Sequence, residues 1–260
     1  MSEVRSAFNK ASSEYDTHAF LQKEIALRLD SKLEVISGNT EVILDLGAGT
    51  GLLSQNLLKR FKNSQLICLD FAQESLKNNP VPHKLCADAN HLPLADNSID
   101  IVTSNLMIQW CPDTKQLFSE CHRVLKNNGL LLFSTFGPDT LKELKKSWSV
   151  VDDTPHVNTF TDMHDIGDQL LQNSFQSPVM EMETLTLTYQ TVTDLLKDLK
   201  AIGAQTVSTR SKSLTGKNKF QSMIQMYESY RTNGKLPATY EIVYGHAWKK
   251  VSEPGIKLSN

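Results

Sequence analysis

The chain has 260 residues, with 27 Lys and Arg against 29 Asp and Glu and a formal charge of −2. That length suits one large domain, or one domain with an insertion, and is enough to bury a sizeable core. The near-neutral balance excludes a general nucleic-acid binder, and no apolar run nears the roughly 20 residues of a membrane span.

Residues 1–10 are polar and lack the apolar centre of a signal peptide. Residues 14–29 set Tyr15, Ala19, Ile25, Ala26 and Leu29 at helical spacing, which predicts a helix ahead of the main sheet. Residues 42–46 read Val-Ile-Leu-Asp-Leu and stop at a glycine-rich turn, the pattern of a buried parallel strand. A helix follows at 52–61, then a strand at 66–70 that ends in an acid, and a short helix at 73–78. Strands are expected at 83–87 and 99–104, a helix at 114–125 and, after Gly129 closes the turn, a strand at 129–135. Strand and helix thus alternate over 42–135, which argues for right-handed βαβ units and a doubly wound, mostly parallel α/β sheet.

Beyond residue 136 the pattern changes. Helices are predicted at 140–151 and 163–173. Residues 179–189 alternate Met and Leu with polar residues, as an antiparallel strand does. Helices at 192–202 and 217–231 precede a closing strand at 240–248. The expected organisation is one domain: an N-terminal helical lid (1–38), a ligand-binding core (40–136), a helical cap (137–177 and 190–236) and closing strands (178–189 and 238–248). The residues after 250 read as frayed.

The four cysteines, Cys68, Cys86, Cys111 and Cys121, form no CxxC pair, so zinc and dithiol redox chemistry find no support. Cys68 and Cys86 read as buried reduced thiols. The setting expected is soluble, reducing and cytoplasmic, without a metal.

Asp45-Leu46-Gly47-Ala48-Gly49-Thr50-Gly51 lies between a predicted strand and helix. Residues without Cβ atoms let such a loop turn tightly and let a ligand lie against its backbone. Open α/β sheets bind ligands at the carboxyl ends of their strands, where this loop sits. A dinucleotide fingerprint runs G-x-G-x-x-G, whereas this loop runs G-x-G-x-G, which weakens an NAD reading. Asp70 ends the second strand, where a carboxylate can accept both hydroxyls of a ribose. A bare tight turn is the plain alternative for the loop, and solvated turns for the acids.

The D-x-G-x-G-x-G loop resembles the first motif of class I, S-adenosylmethionine-dependent methyltransferases. The resemblance implies a Rossmann-like, seven-stranded fold in which the loop packs on the methionine part of the cofactor and Asp45 faces its ammonium. It implies that Gly47, Ala48, Gly49 and Gly51 form the cradle and that Asp70 and Phe71 hold the ribose side. Asp88 and Ala89 match the adenine-contacting pair, and Asn105 and Leu106 follow the fourth strand beside the reacting end. Longer runs resemble the malonyl-acyl-carrier-protein O-methyltransferases of biotin synthesis. These are 5–8 with Ala11, 15–19 with Gln22, 109–111, 133–141, 156–158, 162–168, 203–204 and 214–216. They span nearly the whole chain. Ala48 departs from the pattern, since many relatives carry Cys there.

The resemblance implies methyl transfer from S-adenosylmethionine to the free carboxylate of a malonyl thioester on acyl carrier protein, and leaves open whether malonyl-coenzyme A also serves. A carboxylate is ionised at neutral pH, its ordinary pKa being near ~4, so no general base is required. Positioning and desolvation should carry catalysis. A desolvated substrate carboxylate needs a cation or several donors. Arg210 is the first choice, because a guanidinium can match a carboxylate with two bonds, although a surface charge or carrier contact is an equal reading. His156 and Asn158 could add neutral donors. Gln109 and Trp110 could wall the transfer pocket. Tyr15 and His18 are expected on a helix closing over the cofactor, with Gln22 on the same face.

Carrier proteins are acidic, so their docking surface should be basic. Lys212, Lys217 and Lys219 surround Arg210, and Lys142, Lys145 and Lys146 form a second cluster; either could be a solvated face. The enzyme is expected to be a monomer without nucleic-acid or membrane partners. Two alternatives stay open: methylation of another small acid or a quinone-pathway intermediate, and a non-methyltransferase assembly factor or hydroxylase on the same fold.

Overall fold

The computed structural model describes residues 2–11, 15–36, 40–202 and 216–250. Seven strands form one sheet: β1 (Val42–Leu46), β2 (Gln65–Asp70), β3 (His83–Cys86), β4 (Ile99–Asn105), β5 (Leu125–Phe136), β6 (Phe175–Tyr189) and β7 (Leu236–Lys249). Their spatial order is β3-β2-β1-β4-β5-β7-β6. The first five run parallel, β7 runs antiparallel to β5, and β6 antiparallel to β7. The doubly wound α/β sheet expected from the alternation is the observed one.

The sheet is buried on both faces because its strands carry apolar residues at successive positions. Ile43, Cys68, Ile101 and Leu132 point into one core, while their neighbours Leu44, Leu69, Val102 and Phe133 point into the other. Fully burying a ring such as Phe133 contributes about 1.5–3 kcal/mol. On the first face lie α3 (Phe20–Ser31), α4 (Ser54–Arg60), α7 (Lys142–Ser149), α9 (Val192–Ala201) and α10 (Lys217–Glu228), through residues such as Ile25, Leu57, Trp148, Leu195 and Tyr227. On the second lie α6 (Thr114–Val124) and α8 (Met163–Gln172), through Phe118, Cys121, Ile166 and Leu170. The 137–177 stretch, read as cap, therefore divides: α7 stands by the amino end of β7, and α8 covers the sheet.

Two helices lie ahead of α3, namely α1 (Ser2–Ala11) and α2 (Tyr15–His18). The single helix expected over 14–29 is thus two, parted at Ala19, whose ψ of 41° leaves the helical range. The polar sequence of 1–10 hid α1, which carries only Val4 and Phe8 as large apolar residues on its described side chains. A further short helix, α5 (Gln73–Asn78), follows β2 as expected. Strands β6 and β7 begin ahead of the predicted start because their long antiparallel pairing keeps polar residues such as Gln176 in the ladder, and β5 begins early because Leu125 pairs with Ile99 of β4. No helix among the described residues is long and apolar enough to cross a membrane.

Candidate functional site

From β1 the chain moves outward to β2 and β3, then returns to β4 on the other side of β1. Loops leaving β1 and β4 therefore part above the sheet, and a crevice opens at the carboxyl edge. The loop after β1 is pinned there, with the Gly47 and Ala48 amides donating to the Leu69 carbonyl at 2.7 and 3.0 Å. Gly47 has φ +74°, and a Cβ on it would lie 2.2 Å from Met107 Cγ, so no side chain fits. Gly49, at φ +51°, faces open space, with Asp70 Oδ2 the nearest atom at 4.0 Å from where its Cβ would be. The bare backbone is what leaves that space free.

The crevice is a hollow of about 450 Å³. Eight of the sequence-derived candidates line it together: Tyr15, Gly47, Gly49, Asp70, Phe71, Asn105, Leu106 and Trp110. A second hollow of about 330 Å³ shares Gly47, Asp70, Phe71, Met107 and Trp110 with the first and adds Asp88 and Ala89. The two form one elongated cleft with Asp70 at its waist.

Asp70 is held rigidly. Its Oδ2 accepts from the Gly49 amide at 2.8 Å and its Oδ1 from the Ala72 amide at 2.7 Å. Burial lifts its carboxyl above the usual range, while these amides and that of Phe71 favour the ionised form. Over the cleft, the Phe8 ring of α1 stands edge-on to Trp110 at 5.4 Å and to Phe71 at 6.3 Å. Thr50 in the glycine loop donates to Asp16 Oδ1 of α2 at 2.7 Å, which ties the N-terminal helices to the loop. Burial, with Asp70 and Asp16 nearby, pushes the Tyr15 phenol well up, so it stays a neutral donor.

The comparisons with known proteins agree with this geometry. Residues 44–133 match the family described as a methyltransferase domain. A malonyl-[acyl-carrier protein] O-methyltransferase of Gallionella capsiferriformans is 48% identical over 260 residues, covering 95% of this chain and 90% of the relative. A protein of the same name from Nitrosospira multiformis is 44% identical, covering 97% of this chain and 90% of the relative. The chain belongs to the malonyl-[acyl-carrier protein] O-methyltransferase family. Among solved structures, the YcgJ protein of Bacillus subtilis superposes with a TM-score of 0.62 at 16% identity, covering 88% of this chain and 99% of that one, a likeness of fold.

Other candidates of this methyltransferase sit away from the cleft lining. Asp45 is buried beneath the loop, accepting from the Ser54 hydroxyl at 2.5 Å, and burial raises its carboxyl to about 7. Ala48 turns into the core, and Gly51 packs against Asn79 and Pro80. Gln22 is buried, and its Oε1 has no hydrogen-bond partner among the described residues. Its backbone carbonyl accepts from the Asn105 amide at 3.1 Å, which fastens α3 to the end of β4. His18 turns to Asp198 of α9 at 3.0 Å. Gln109 bridges the Leu106 carbonyl and the Thr135 hydroxyl at 2.7 and 3.0 Å.

His156 stacks on Trp148, centroids 3.7 Å apart, and bonds Asp152 at 2.9 Å. Asn158 is half-buried in the same segment. Arg210 and Lys212 lie outside the described residues, as do 203–204 and 214–215. Among the described residues no three His, Cys, Asp or Glu side chains converge to hold a metal ion. Phe8, Thr50, Ala72, Ser75 and Met107 line the cleft and were not singled out from sequence. Phe8 had a signal as a member of the 5–8 run, and Thr50 as a member of the glycine loop.

Proposed function

We propose that this enzyme methylates the free carboxylate of a malonyl thioester on acyl carrier protein, using S-adenosylmethionine, and that the ester primes pimeloyl synthesis for biotin. One observation carries the reading: the relation to malonyl-[acyl-carrier protein] O-methyltransferases runs over 95% of the chain. It therefore includes α7, α9 and α10, where an acceptor is selected, and not only the core that all such methyltransferases share.

The cleft's residues fit the cofactor. The bare face of Gly49 leaves a place for it, beside the Asp70 carboxylate that the Gly49 and Ala72 amides hold. When bound, S-adenosylmethionine supplies a methyl group on a cationic sulfur, already activated toward an anionic oxygen. In this reading the amide-held oxygens of Asp70 accept the ribose hydroxyls. Asp88, Ala89 and Phe71 border the adenine end. Tyr15, Asn105 and Leu106 border the reacting end, and Phe8 and Trp110 keep water out.

The acceptor arrives ionised, so the chain needs no base, and none is assigned. Its residues instead align the carboxylate and strip its water. Arg210 is the proposed clamp, with His156 and Asn158 as further donors. His156 already spends one nitrogen on Asp152. Gln109 acts by fixing the Leu106 turn. The enzyme is read as a cytoplasmic monomer.

The test is transfer of labelled methyl. Incubation with labelled S-adenosylmethionine and malonyl carrier protein should give label on the carrier that mild base releases as methanol. Binding of the cofactor without transfer to any malonyl thioester would overturn the reading.

A further inference from the structure

The two lysine clusters, far apart in sequence, meet in the fold. Helix α7 packs against α10, with Trp148 beside Phe220, their rings 6.4 Å apart. Lys142, Lys145 and Lys146 thus stand on one of two adjoining helices and Lys217 and Lys219 on the other, and Lys219 reaches Asp152, just past the end of α7, at 2.9 Å. This helix pair lies at the same edge as the cleft. Helix α7 leaves the carboxyl end of β5, and its Glu143 bonds the Thr239 amide near the amino end of β7, at 3.1 Å. Tyr227 of α10 donates to the Pro237 carbonyl of the same strand end at 2.9 Å. Because β7 runs antiparallel to β5, its amino end is at the carboxyl edge of the parallel strands.

The charge on this helix pair is incompletely neutralised. Lys142 pairs with Asp139 at 3.3 Å and Lys219 with Asp152 at 2.9 Å. Lys145, Lys146 and Lys217 make no ion pair among the described residues, and Lys145 instead lies over the Phe160 ring and donates to the Pro138 carbonyl. Unpaired lysines also occur elsewhere among the described residues, at Lys59, Lys62 and Lys84 for instance, while Arg28, Lys32, Arg60, Arg123 and Lys126 each sit on a carboxylate. An apolar spot lies beside the lysines of α7. Lys142, Lys146 and Val150 fall at i, i+4 and i+8, on one stripe, and Val150 is 68% exposed. Cations around one exposed apolar side chain suit an acidic helical protein that also offers an apolar contact. A nucleic acid would find no such apolar use.

We propose that the α7–α10 face is the docking surface for the acidic carrier protein that presents the malonyl group. This rests on the functional reading above and adds the place of the partner. Docking charges act mainly on association, so the face should govern KM and salt dependence and leave the chemical step alone.

The experiment compares methylation of malonyl carrier protein with that of malonyl-coenzyme A, at low and high salt. The test variant carries Lys142→Glu, Lys146→Glu and Lys217→Glu. A charge-matched control carries Lys59→Glu, Lys62→Glu and Lys84→Glu, exposed positions on the β2–β3 side. The test variant should raise KM for the carrier substrate tenfold or more, with kcat held and with the salt dependence lost. Its activity on malonyl-coenzyme A and its melting temperature should match wild type, and the control should match wild type on both substrates. Unchanged KM in the test variant, or an equal rise in the control, would overturn the docking face. Wild-type enzyme that methylates neither thioester would instead overturn the functional reading, so the two failures are distinct. Binding of the face to a second copy, seen as a dimer that the test variant abolishes without effect on KM, also counts against it.

Discussion

The carboxyl edge has two halves, and they are made differently. Over β1, β2 and β4 the site consists of backbone and strand-end groups close in sequence: the Gly47–Gly49 turn, Asp70 on two amides, and the Asn105–Leu106 turn. Over β5 and β7 the structure is held by side chains that reach across long stretches of chain. Thr239 pairs with Glu143, Asp152 with Lys219, and Asp198 with His18. The first half is fixed by local chain geometry, and any protein binding the same cofactor can reuse it. The second is fixed by which side chains meet, so it is free to change with the acceptor.

The largest expected effect concerns the buried acid under the first half. Asp45 titrates near 7 in the folded protein against an ordinary 3.8, because burial opposes its charge. Between those values the folded state holds the proton that the unfolded state has released. Stability from this group is therefore present below pH 4, falls as pH rises toward 7, and is level above it. Each unit is about 1.4 kcal/mol, so the full window amounts to roughly 4 kcal/mol. Asp45→Asn should remove that slope, giving a variant that gains on wild type from pH 5 to pH 8 in urea denaturation. Parallel curves for the two proteins would show that Asp45 stays ionised.

Gly47→Ala comes next. It places a methyl where Met107 stands and keeps a left-handed backbone at a cost of roughly 1–2 kcal/mol before any clash. Overpacking adds about 1–3 kcal/mol. The melting temperature should fall, and stabilisation by S-adenosylhomocysteine should vanish. A normal response to the ligand would place the cofactor elsewhere.

Asp70→Ala should weaken S-adenosylhomocysteine binding by roughly 1.5–3 kcal/mol, the worth of bonds to a charged acceptor, with a small change in melting temperature. Calorimetric titration reads it, and unaltered affinity would remove Asp70 from the site.

In the second half, His156→Ala loses the stack on Trp148 and the bond to Asp152. It should cost about 1–2 kcal/mol of stability and leave cofactor affinity alone. A loss of affinity instead would mean that the halves are coupled. Smallest is His18→Ala, which removes a part-exposed pair with Asp198 and should shift stability by less than about 1 kcal/mol.

The difference between the halves also decides what was readable. The β1 run, the loop and Asp70 stand in order along the chain, because each strand end and the turn after it form a local unit. Their spacing therefore carried both fold and cofactor cleft. Spacing does not place Phe8, since its position over Phe71 and Trp110 depends on α1 packing against α5. His18 and Gln22, read as one helical face, are separated by the break at Ala19: one turns to α9 and the other is buried against β4. The partners that the structure gives His156, Trp148 and Asp152, come from the end of α7 and just past it, and spacing does not single them out.

By itself, the sequence determined the alternation of strand and helix, the glycine turn between β1 and α4, and the acid at the end of β2. These follow from apolar periodicity, from residues lacking Cβ atoms and from the fixed rise of a strand, all of which act over a few residues. Tertiary structure alone decided that Asp45 lies under the loop, that Phe8 roofs the cleft, and that α7 packs against α10. Those outcomes depend on which elements pack together, and the packing is set by the summed burial of two cores, to which no single segment holds the key.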